Sequence, residues 1–116
     1  MKKGQKLTFD EMYEWLSNNP NKKWRLFAVG GSFGFLNSLR WGEEWITQYF
    51  ERTDGGHKTF RFAAFDDECH FLQEIAFGGY EDFQYRIEVY NDEPLELLIE
   101  HRDSDTISHF AIFQEL

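Results

Sequence analysis

The sequence predicts an α+β domain: an antiparallel sheet of about six to seven strands, with an N-terminal helix and a second short helix packed on it. Three observations lead there. A capping box at Thr8 opens a run with apolar residues at helical spacing. The last third alternates apolar and polar residues with period two, the signature of a half-buried meander. Strand-like runs follow one another with few helical runs between them, a pattern of α+β rather than α/β architecture.

The first helix is expected from about Thr8 to Asn18. Thr8 and Glu11 supply the S/T-x-x-E box, and Leu7 and Met12 suit a hydrophobic staple. Phe9, Met12, Tyr13 and Leu16 share one face, and Asn18-Asn19-Pro20 ends the run. Residues 23–29 read as a strand, with Trp24, Leu26 and Ala28 on one face and Arg25, Phe27 and Val29 on the other. Gly30-Gly31-Ser32-Phe33-Gly34 makes a turn, and a short strand is expected near 35–39. Residues 44–52 and 58–65 form a hairpin around Asp54-Gly55-Gly56. Asp66-Asp67-Glu68 reads as the acidic start of a second helix through about Ala76, closed by Gly78-Gly79.

The meander follows, with strands at 83–90, 95–100 and 107–114 and turns at 91–94 and 103–106. Leu98 breaks the alternation of the second strand. Phe110 and Ile112 make the third strand apolar on both faces, which suits a central or covered strand.

With 116 residues and 19% aromatics the chain is long and apolar enough to fold as one domain, 1–116. Its one cysteine, Cys69, forms no internal disulfide, so a disulfide-stapled secreted scaffold is excluded. The basic start Met1-Lys2-Lys3 lacks the apolar run of a signal peptide, and no stretch approaches the roughly 20 apolar residues of a membrane helix. A soluble, cytoplasmic protein is expected. Charge is unevenly placed. Residues 1–58 carry 9 Lys/Arg against 7 Asp/Glu, and residues 59–116 carry 3 against 14, so +2 and −11 make up the net −9. An acidic C-terminal half argues against phosphate-backbone binding there and points to a basic partner.

The expected partner-binding residues are Tyr80, Glu81, Asp82, Glu88, Tyr90, Asp92, Glu93, Glu96, Glu100, Asp103 and Asp105, the acids on or around the meander with two tyrosine anchors. Like charges placed together across strands are destabilising, so a shared acidic face suggests a use for the charge. The expected function is a non-enzymatic inhibitor that occludes a basic, nucleic-acid-binding surface of a partner protein. Phage anti-CRISPR, anti-restriction and immunity proteins offer an analogy of size and charge that no shared motif supports.

One alternative is a nucleotide-binding or sequestering loop at Gly30, Gly31 and Gly34, with Lys22, Lys23, Arg25 and Arg40 as cations and Trp24 and Trp41 as stacking platforms. The spacing matches neither GxGxxG nor a Walker loop. A structural, homo-oligomerising subunit is the other alternative. No catalytic set, metal site or cofactor is expected. Adjacent helical residues such as Cys69 and His70 point about 100° apart, so a buried, inert thiol is anticipated there. His101 and His109 would be cross-strand neighbours on the core side of the meander.

Overall fold

The computed structural model describes residues 1–30, 44–51, 58–78, 84–102 and 108–116. They form β1 (Lys6–Leu7), α1 (Phe9–Asn18), β2 (Lys23–Gly30), β3 (Trp45–Glu51), β4 (Lys58–Phe65), β5 (Phe71–Gly78), β6 (Gln84–Asp92), β7 (Leu95–Arg102) and β8 (Ser108–Glu115). The eight strands make one antiparallel sheet in the order β1-β6-β7-β8-β2-β3-β4-β5. The expected short strand near 35–39 lies outside the described residues.

The sheet curls. β6 is second and β5 eighth in the strand order, which on a flat sheet would hold them about 29 Å apart at ~4.8 Å per strand. Yet Tyr85 Oη of β6 donates a hydrogen bond to the Gly78 carbonyl of β5 at 2.8 Å. α1 packs on the inner face of this curve, touching β1 and β6 on one side and β3 and β4 on the other. The Phe9 ring lies between Phe60 (4.9 Å) and Tyr85 (5.2 Å). Met12 and Leu16 are fully buried among Trp24, Trp45, Phe60, Phe62, Phe77 and Phe113. Phe62 stacks on Phe113 at 3.8 Å, which joins the two halves of the sheet through the core.

α1 begins as its sequence requires. The Thr8 side chain accepts from the Glu11 N–H, and the Glu11 carboxylate accepts from the Thr8 N–H. The expected hairpin forms with Trp45 opposite Ala64 and Glu51 opposite Lys58. The meander forms as β6-β7-β8, with His101 opposite His109. β8, apolar on both faces, lies between β7 and β2 in the middle of the sheet.

Two expectations are overturned. The fold is a β-rich, wholly antiparallel sheet with a single helix among the described residues, not α+β with two helices. The segment read as a second helix is a turn followed by β5. Asp66 Oδ1 accepts the N–H groups of Glu68 (2.9 Å) and His70 (2.8 Å), which folds the chain back on itself. Residues 71–78 then return along β4, pairing Phe77 with Phe60 and Ile75 with Phe62. Burial of those aromatics outweighs the local helical signal.

The faces of β2 also differ from strict alternation. A bulge between Leu26 and Ala28 turns Val29 toward the core and Ala28 outward. No helix among the described residues is long and apolar enough to cross a membrane.

Candidate functional site

The outer face of β6, β7, β8 and β2 carries the best-organised side-chain array outside the core. Its register builds three rows across four strands. Arg86, Glu100, Phe110 and Gly30 form the first, Glu88, Leu98, Ile112 and Ala28 the second, and Asn91, Glu96, Gln114 and Arg25 the third. The middle row is apolar on three of its four strands; the third row is polar throughout, and the first is polar on β6 and β7 only.

Each rim is internally bonded. Arg86 binds Glu100 at 3.3 Å and Glu88 at 3.0 Å. Gln114 donates to Glu96 at 2.7 Å and accepts from Arg25 Nε at 2.6 Å. Charge-assisted bonds of this kind satisfy carboxylates that the neighbouring strands partly desolvate. Glu96 and Glu100 are only 7% and 9% exposed.

Bulges on the two outer strands of this group finish the surface. Tyr90 is the extra residue in β6, between Val89 and Asn91, and Phe27 is the extra residue in β2. Both aromatics are 49% exposed. Between the strands lies an open depression of about 380 Å³, floored by Leu98, Ile112, Phe110 and Ala28 and walled by Tyr90, Arg86 and Glu100. Gly30 is part of its construction. The Phe110 ring lies across it so closely that a Cβ at position 30 would fall within 2.6 Å of Cζ.

The expected acidic residues do not all converge on this face. Glu88, Glu96 and Glu100 lie on it, with Tyr90 beside them. Asp92 and Glu93 stand exposed at the β6–β7 turn. Tyr80, Glu81, Asp82, Asp103 and Asp105 lie outside the described residues. Instead of a bare acidic plane, the face holds buried Leu98 and Ile112 between rows whose carboxylates bond to Arg86 and Gln114, with Arg25 on Gln114. The residues that sequence reasoning did not select are Phe27, Arg86, Leu98, Phe110, Ile112 and Gln114. Leu98 and the two-faced β8 were the visible signals.

The groups expected around the glycine loop are dispersed. Lys22 pairs with Glu115 at 2.9 Å and Lys23 with Glu44 at 3.5 Å. Trp24, expected as a stacking platform, is fully buried with its ring edge-on to Phe62, so it offers no face to a ligand. Lys23 and Gly30 stand at opposite ends of β2, about 24 Å apart at ~3.4 Å per residue. Gly31, Gly34, Arg40 and Trp41 lie outside the described residues.

The remaining chemistry is local. His70 Nδ1 lies 3.2 Å from Asp66 Oδ2, so this imidazole is engaged with a carboxylate. Cys69 is exposed, not buried as expected, and sits at a φ of 65° in the Asp66 turn. The Asp66 carboxyl is held below its ordinary pKa, chiefly by the hydrogen bond from the His70 backbone N–H. His101 and His109 face each other on the inner side, 5.9 Å between ring centres, with Tyr85 stacked on His101 at 5.2 Å. Among the described residues no group of three or more His, Cys, Asp or Glu side chains could hold a metal ion. Compared with family models, curated proteins and solved structures, the chain matches none.

Proposed function

We propose that this chain is a non-enzymatic binding protein that docks the outer face of β6, β7, β8 and β2 onto a basic surface of a partner protein and so occludes it. One observation carries the reading: two half-exposed aromatics, Phe27 and Tyr90, stand on a face where acids outnumber bases. Exposed aromatic anchors beside polar and charged groups are features of protein interfaces. On the three rows, Arg25 and Arg86 face Glu88, Glu96 and Glu100, which leaves one negative charge in excess. Asp92 and Glu93 extend the excess at the β6–β7 end. A nucleic-acid-binding protein presents a surface of the complementary sign. Carboxylates on the rim accelerate association, and the aromatic anchors set the lifetime of the complex.

The test is affinity capture at low and high salt with three forms: wild type, Phe27→Ala/Tyr90→Ala and Asp92→Lys/Glu93→Lys. Wild type should retain basic proteins at low salt, and both variants should lose them. Identical capture by all three forms, or a captured set with no basic bias, refutes the proposal.

A further inference from the structure

We infer that a hollow on the outer side of β3 and β4 binds a small organic cation, a primary amine that carries an apolar group. The inference does not depend on the docking face proposed above. The hollow is open and has a volume of about 520 Å³, within the range of small-molecule pockets. Register sets its base. Lys23 lies opposite Ile46, Ile46 opposite Ala63 and Gln48 opposite Arg61, so these residues share one face. Trp45 and Thr47, which alternate with Ile46 and Gln48, are buried on the inner side. At the end of β4 a tight turn forms. The Asp66 N–H donates to the His70 carbonyl and the Cys69 N–H to the Asp66 carbonyl, each at 3.0 Å. Phe65, Asp66, Asp67 and Cys69 thereby join the lining.

The lining offers two kinds of surface. Ile46 and Phe65 are its apolar part, and both are half-buried, so each keeps area for a ligand to cover. The Phe65 ring meets Phe71 edge-on at 6.0 Å, and Phe71 is exposed, which extends the aromatic surface. The rest is charged. Lys23 pairs with Glu44 at 3.5 Å, which balances both. Asp66 gives Oδ1 to two backbone N–H groups and Oδ2 to His70. Those bonds, the His70 N–H first, hold its carboxyl below its ordinary pKa, so it is ionised at neutral pH. Asp67 is exposed and enters no hydrogen bond or ion pair among the described residues. Arg61, on the same face, is engaged by Gln48 and Glu74.

This combination selects the ligand. Glu44, Asp66 and Asp67 against Lys23 give the lining an excess of negative charge, which repels an anion. A bare metal ion would need more donors than converge there, since no group of three or more His, Cys, Asp or Glu among the described residues could hold one. A neutral apolar molecule would cover Ile46 and Phe65 and leave Asp67 without a partner. An ammonium group carries three N–H donors and a positive charge for Asp67, while its apolar substituent takes Ile46 and Phe65 out of water. A cation beside the Phe65 ring is attracted by its face as well.

The experiment titrates the isotope-labelled full chain with three probes and reads backbone amide shifts. The probes are 2-phenylethylammonium, 2-phenylethanol (the same ring without charge) and methylammonium (the charge without a ring). The first should shift Ile46, Phe65, Asp67 and Cys69 together along one saturation curve. The other two should bind at least about tenfold more weakly. Asp67→Asn should weaken 2-phenylethylammonium by about tenfold. Glu14→Gln, which removes an exposed acid on α1, should leave its binding unchanged. The inference falls if no probe shifts those amides up to about 10 mM. It also falls if 2-phenylethanol or methylammonium binds as well as the amine, or if Glu14→Gln weakens binding as much as Asp67→Asn, since general attraction to an acidic protein would then suffice.

Discussion

Gly30→Ala tests how β2 and β8 shape the outer face. Position 30 ends β2 opposite Phe110, and its φ lies outside the left-handed region, so backbone conformation alone admits alanine. The obstacle is the ring. An added Cβ would lie 2.8 Å from Cδ1 of Phe110, 2.6 Å from Cζ and closer still to Cε1. The half-buried ring must swing off the strand. Full burial of a Phe is worth about 1.5–3 kcal/mol, and giving up roughly half costs ~1.5 kcal/mol at the upper value of that range. Replacing glycine restricts the unfolded chain and returns ~0.5 kcal/mol. The net loss is therefore about 1 kcal/mol, or about 4 °C in Tm for a chain of this size.

In a Phe110→Ala background the ring is gone and only the favourable part remains. Gly30→Ala should then stabilise by ~0.5 kcal/mol, a change of sign and a coupling of about 1.5 kcal/mol. Urea unfolding of the four proteins in the cycle measures this. If Gly30→Ala costs the same in both backgrounds, the Phe110 contact does not explain the glycine, and the floor of the depression is built differently.

Three other outcomes are expected. The Thr47 hydroxyl is buried with no hydrogen-bond partner among the described residues, so Thr47→Val should raise the urea midpoint by the equivalent of ~1 kcal/mol; a lower midpoint would contradict the burial argument. Arg86→Ala removes the cation shared by Glu88 and Glu100 and should cost about 2 kcal/mol, part of it restored by adding Glu100→Gln; a cost under ~0.5 kcal/mol would mean that Glu100 does not depend on Arg86. Because folding lowers the Asp66 pKa, its stabilising effect is present above the unfolded value and fades as pH falls through the folded one. Asp66→Ala should therefore be less stable than wild type at neutral pH, with the gap narrowing in acid; a gap constant down to pH 2 would rule this out.

Much of the fold was legible because its signals are short-range. The Thr8–Glu11 box and the spacing of Met12 and Leu16 specify α1 without any tertiary contact. Alternation in β6 and β7 marks their inner residues, and the facing of His101 and His109 follows from the length of the connection between their strands. The Asp66 segment misleads because acids ahead of Phe71, Leu72, Ile75 and Ala76 suit a helix start and a helical stripe equally well. An Asp whose carboxylate closes a turn looks the same in sequence as one that caps a helix.

The candidate site was half visible. Leu98, Phe110 and Ile112 already stood out as apolar residues on what should be a polar side. Arg86 and Gln114 did not, because their roles depend on which strand lies beside them.

By itself, then, the sequence determined what neighbouring residues settle among themselves: one capped helix, most of the strand-forming runs, the periodicity of the meander and a strongly acidic second half. Tertiary structure alone decided the rest. Bulges at Phe27 and Tyr90 reset which side chains face outward, since one extra residue reverses the alternation beyond it. Cross-strand register placed Arg86 between two glutamates and joined Arg25 to Glu96 through Gln114. Charge that reads as free along the chain becomes bonded in the sheet, because partners on adjacent strands are distant in sequence and a few ångströms apart in space.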